Sequence, residues 1–222
     1  MSRWRLLVVL GALTALAYPW IRLDAAAEAV RVEFEDAWMR VERVWVNPGE
    51  TFAVQNRSDG VLIYLTADLD GRMPPAEASW QPASAQPGSN RAATRFEALL
   101  VELKAAATGT PGPIVPELAP RIADLYNYYD RGDHTVVSLI DNDRVTVTRH
   151  RMAPLRWTEQ YHAHPRESVF VYLRGGEVTG ASVSQGYHHA RRGTFDVLPA
   201  DFAHALSNGG NDPIEFVAIW PK

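Results

Sequence analysis

No cysteine occurs in the 222 residues. That excludes a disulfide, a thiolate nucleophile and any thiolate metal site, so a bound metal would have to rest on histidine and carboxylate ligands. An excess of basic charge is also missing. Lys and Arg total 22 against 26 Asp and Glu, a net charge of −4 with a pI near 6.0, which argues against a nucleic-acid or anionic-lipid partner. A long apolar run of membrane-spanning length is lacking too, since the stretch from Leu6 to Ala17 is short for a span. What is present is a chain 46% hydrophobic and 22% charged, enough for one large or two small domains with buried cores.

Residues 1–24 begin with Arg3 and Arg5, continue through the apolar run, and offer Ala15-Leu16-Ala17 as a small-x-small cleavage site. This is the pattern of an export signal. Extended through Tyr18-Pro19-Trp20 it would serve as an uncleaved anchor. The expected location is therefore periplasmic or secreted, or the outer face of the inner membrane, with membrane contact only if the segment is uncleaved.

From 28 to 104 the pattern is β. Val30-Arg-Val-Glu-Phe-Glu alternates apolar and polar, Trp38 to Val46 does so less strictly, Asn47-Pro48-Gly49-Glu50 is a turn, and Val61-Leu-Ile-Tyr-Leu65 is a short buried strand. Asp68-Leu69-Asp70-Gly71 starts like a calcium loop but lacks the later acidic ligands, so it is read as a turn. Residues 105–133 form a linker in which Leu118, Ile122, Leu125 and Tyr129 fall at helical spacing. From 134 to 222 the strands resume. Val41 to Pro48 lies over Val147 to Pro154, Val61 to Leu65 over Val169 to Leu173, and Phe96 to Lys104 loosely over Glu215 to Lys222.

The most informative stretch runs from His162 to Asn208. In an extended strand residues i and i+2 face one way, so His162 and His164 present two imidazoles to one side of a sheet, where a third from His204 can meet them. Three neutral imidazoles suit a first-row transition metal.

These residues resemble the two motifs of the cupin superfamily. The second motif fits from Gly193 through Pro199 and His204 to Asn208, with Asp201 in place of its usual Gly. In the first, His162-x-His164 and Gly175 fit, Arg156 stands where the opening Gly belongs, and Ser168 occupies the position of the glutamate ligand. Glu167 is one residue early, and by the period-2 rule it points to the opposite face unless a bulge re-aims it.

The internal repeat makes the chain resemble a two-cupin protein, all-β, with two jelly-roll units joined by a short helical linker. In the first unit Val54, Asn56 and Asp59 stand opposite His162, His164 and Glu167, so that copy is expected to be a metal-free scaffold. The resemblance implies one divalent metal (Fe, Mn, Ni or Zn) on His162, His164 and His204, with Glu167 as a further candidate ligand. It also implies a small-molecule ligand and a homodimer. With Ser168 where the carboxylate belongs, the expected set is three imidazoles plus water, similar to non-haem iron cupin dioxygenases.

Three function classes stay open: a metal-dependent enzyme (an oxygenase, or a Zn or Mn isomerase or hydrolase), a small-molecule-binding module, or a structural cupin. No residue is assigned a catalytic role. Ser168, Tyr161, Tyr172 and His188 are candidates for contact with substrate or with the ligands. His150, between Arg149 and Arg151, is expected to face solvent.

Overall fold

The computed structural model describes residues 30–52, 58–72, 74–83, 88–104, 134–157, 164, 166–180, 187–200, 204 and 206–222. The expected export segment, the helical linker, His162 and Tyr161 lie outside them. Among the described residues every regular element is a strand, and no helix is long and apolar enough to cross a membrane.

In the first unit the strands are β1 (Val30–Glu35), β2 (Met39–Val46), β3 (Thr51–Phe52), β4 (Gly60–Tyr64), β5 (Ala78–Gln81), β6 (Gly88–Ser89) and β7 (Phe96–Leu103). The second has β8 (His134–Asp141), β9 (Val145–Met152), β10 (Arg156–Trp157), β11 (Ser168–Arg174), β12 (Gly176–Gly180), β13 (Tyr187–Ala190), β14 (Phe195–Leu198), β15 (Leu206–Asn208) and β16 (Ile214–Pro221). The sheet order β1-β2-β7-β4-β5 recurs as β8-β9-β16-β11-β14, and the β3–β6 ladder recurs as β10–β15. All pairings are antiparallel.

The duplication extends to single side chains. Asn90 donates to the carbonyls of Val46 and Thr94, and Asn208 donates to those of Met152, Ala153 and Asp212. Arg43 pairs with Glu97 on the next strand, as Arg149 does with Glu215. That last pair corrects the sequence register. Val46 stands opposite Phe96 and Met152 opposite Ile214, so Phe96 is equivalent to Ile214, one residue earlier than the Glu215 suggested by the sequence.

Period-2 alternation sorts the buried residues into three cores. Val44, Val46, Leu62, Tyr64, Phe96, Ala98 and Leu100 fill the first barrel. Met152, Phe170, Tyr172, Val178, Leu198, Ile214 and Phe216 fill the second. The opposite faces of the same strands, including Val41, Ile63, Leu99, Val101, Val147, Val171, Val217 and Ile219, pack against one another as a single seam. Each such buried aliphatic side chain contributes about 1.5–3 kcal/mol, so the two units form one body. Arg43 and Arg192 tie the seam's edge by donating to the carbonyls of Gly193 and Leu65 in the opposite unit.

Candidate functional site

The second barrel's interior is lined by alternate residues of β9, β11 and β16. Thr148, His150 and Met152 come from the first, Ser168, Phe170 and Tyr172 from the second, and Phe216, Ala218 and Trp220 from the third. His164, just before β11, and His204, just before β15, meet there. Their ring centres are 5.3 Å apart with planes tilted by 35°, and His204 is 1% exposed. Trp220 stacks on His164 at 4.0 Å, and Phe170 meets both His204 and Trp220 edge-on at 6.0 and 5.1 Å.

The separation of these ring centres is compatible with a shared metal ion. Two imidazoles bound at about 2.0–2.1 Å to one tetrahedral ion have their centres roughly 5 Å apart. Among the described residues no group of three His, Asp or Glu side chains converges to hold a metal. His162, expected to complete such a group, lies outside them.

A hydrogen-bonded chain backs this pair of rings. The Trp220 indole N–H donates to Thr148 Oγ1 at 3.1 Å, Thr148 Oγ1 lies 2.8 Å from His150 Nε2, and His150 Nδ1 lies 3.0 Å from His134 Nε2. His150 corrects the expectation of a solvent-facing residue, being 5% exposed and stacked on Phe216 at 4.7 Å. Alternation turns the flanking arginines to the other face and His150 inward. Burial, and then the charge of His134, lower its pKa to about 4, so the ring is neutral at pH 7.

Further along β11, Tyr172 OH donates to Asp196 Oδ2 at 2.5 Å, and His188 Nε2 lies 3.0 Å from the same oxygen. Burial raises the Tyr172 pKa, with the Asp196 charge adding to it, so the phenol keeps its proton. His188 is partly exposed. Sequence reasoning missed Asp196, although its place on β14 opposite Phe170 of β11 faces it into the barrel.

Ser168 is buried, and its Oγ reaches the carbonyl of Arg166 at 3.4 Å. Glu167 turns away to the seam and hydrogen-bonds Asp36 of the first unit. Burial, then this bond and the Asp36 charge, push the Glu167 pKa up to about 7. Burial opposes ionisation of Asp36 too. The bonds from Glu167 and from the amides of Met39 and Trp38 outweigh it and hold Asp36 below the usual carboxylate range. Arg166 is 8% exposed and its Nη1 is sealed from solvent without a hydrogen-bond partner among the described residues. Burial, and secondarily the Arg144 charge, work against its cationic form.

In the first barrel the interior positions equivalent to Thr148 and Trp220 carry charge. Arg40 pairs with Glu42 at 2.6 Å, and the buried Glu102 accepts from the Ser58 amide at 2.7 Å. By the pairing register Glu42 stands for Thr148 and Glu102 for Trp220.

No protein-family model and no curated protein matches the chain. Solved structures do. The putative glyoxylate-induced protein from Pseudomonas aeruginosa is similar over 87% of this chain and 80% of its own, with TM-score 0.58 and 13% identity. Salicylate 1,2-dioxygenase from Pseudaminobacter salicylatoxidans is similar over 82% and 70%, with TM-score 0.54 and 11% identity. A cupin 2 conserved barrel domain protein from Leptotrichia buccalis covers 87% and 88%, with TM-score 0.47 and 11% identity. The chain has the cupin fold in duplicate. At these identities the likeness establishes architecture, and the cupin barrel's chemistry is argued from its own side chains.

Proposed function

We propose that the second cupin barrel is a metal-dependent catalytic centre of the oxygenase type acting on a small molecule, and that the chain works outside the cytoplasm. The observation that supports it most is the 5.3 Å approach of the His164 and His204 rings inside an aromatic-lined barrel, completed in this reading by His162. A first-row ion on such ligands would supply Lewis acidity and, as iron, one-electron chemistry.

The protein's own part is positioning and exclusion of water. Trp220 covers one face of His164 and is held by Thr148, which fixes the imidazole plane. Phe170 and Phe216 keep the interior apolar, at 5.4 Å from each other, which strengthens every polar contact made there. Asp196, holding both the Tyr172 hydroxyl and His188, offers a fixed polar group for a substrate's hydroxyl or acid function. The salicylate dioxygenase sharing this fold makes small aromatic acids the first substrates to try.

The test is oxygen uptake by iron-loaded protein given salicylate, gentisate and related hydroxylated acids. Turnover lost in His164→Ala supports the oxygenase reading. Absence of uptake across the panel contradicts it and leaves the small-molecule-binding or structural cupin and the Zn or Mn isomerase or hydrolase.

A further inference from the structure

Arg166 stands apart from the half-buried charges of the seam. Asp36 and Glu167 share a hydrogen bond, Arg43 is bonded to Glu33 and Glu97, and Arg144 reaches Asp59 Oδ2 and the Leu103 carbonyl, both at 3.3 Å. Arg166 is 8% exposed, yet its Nη1 has no hydrogen-bond partner among the described residues. The nearest carboxylate in sequence, Glu167, is committed to the first unit. Among the described residues, the charge acting on Arg166 is that of another cation, Arg144. A sealed guanidinium N–H without a partner, on which Arg144 exerts further positive charge, is unfavourable unless something negative joins it.

We propose that Arg166, with Arg144 as the supporting charge, forms a binding position for a small oxyanion where the two cupin units meet. The planar fork of a guanidinium matches two oxygens of a carboxylate or phosphate, and a second cation raises the affinity for either. The chain's overall charge of −4 makes this a local device and not part of a general basic surface. Nothing in the proposal depends on a metal at His164 and His204.

The test uses the full chain after chelator treatment, so that the metal reading and this one fail separately. Thermal unfolding is followed in sodium phosphate, in sodium malonate, and in sodium chloride at matched ionic strength, for the wild type, Arg166→Gln and Arg166→Lys. At least one of the two oxyanions should raise the wild-type midpoint above that in chloride, and whichever does so identifies the class. Arg166→Gln should abolish the rise while unfolding at a higher midpoint than wild type in chloride, because the unpaired cation is gone. Arg166→Lys keeps charge without the fork and should weaken binding about tenfold. No rise with either anion overturns the proposal, as does a rise that persists in Arg166→Gln. Failure of Arg166→Gln to fold also overturns it, since a cation awaiting a ligand is a burden on the fold and not a support.

Discussion

Glu167 of the second unit hydrogen-bonds Asp36 of the first, joining two carboxyl groups across the seam. Two carboxylates held this close retain one proton between them, and here Glu167 carries it. Its pKa of about 7 lies above the ordinary 4.5, so the folded state binds this proton more tightly than the unfolded chain. The stabilisation is fully present below pH 4.5 and is lost as pH rises through 7. The lowered Asp36 acts below its ordinary 3.8, outside that window. Urea unfolding should show stability falling by on the order of 2 kcal/mol from this pair between the two limits. Glu167→Gln, which donates to Asp36 at every pH, should remove that slope and exceed wild type at pH 8.

The same pairing predicts the metal phenotype of this position. Glu167→Ala should leave stoichiometric metal bound, with affinity changed by less than about tenfold, because the carboxyl is engaged at the seam and not in the barrel. Metal loss equal to that of His204→Ala, measured by elemental analysis, would make Glu167 a ligand.

Thr148 holds the indole that covers His164. Thr148→Val keeps the shape and removes the acceptor of Trp220 Nε1 and the partner of His150 Nε2. The expected cost is about 1–3 kcal/mol of stability. Metal affinity should also fall by about tenfold, a readout that simple loosening of a distant core residue would not move.

Gly193 has φ of +78°, and a Cβ there would meet Leu65 Cδ1 at 3.2 Å and Arg43 Nη1 at 3.3 Å. Gly193→Ala should destabilise by about 1–3 kcal/mol through backbone strain and crowding at the seam. The check is the urea midpoint at unchanged slope.

Much of the architecture was legible because alternation is a local property. Val41 over Val147 and Val61 over Val169 identified equivalent strands, since one face of each is committed to the seam and the other to a barrel. The third pair slipped by one residue because β7 and β16 are buried on both faces and read as nearly continuous apolar runs, which leave register unspecified. His150 was misread through its neighbours: Arg149 and Arg151 describe the opposite face of the strand. Period-2 alternation puts His150 on the same face as Thr148 and Met152. The Asp36–Glu167 bond and the stranded Arg166 had no sequence signal, because each arises where segments far apart in the chain are brought together.

In the proposed function the His164 and His204 imidazoles of the second barrel hold one metal ion. Elemental analysis of purified protein, after exchange into metal-free buffer, tests it directly. About one first-row transition ion per chain is expected, absent in His164→Ala and His204→Ala variants that retain the wild-type circular dichroism. A wild-type protein that takes up no metal when supplied with iron, manganese, nickel or zinc, or folded histidine variants that retain it, would contradict the account.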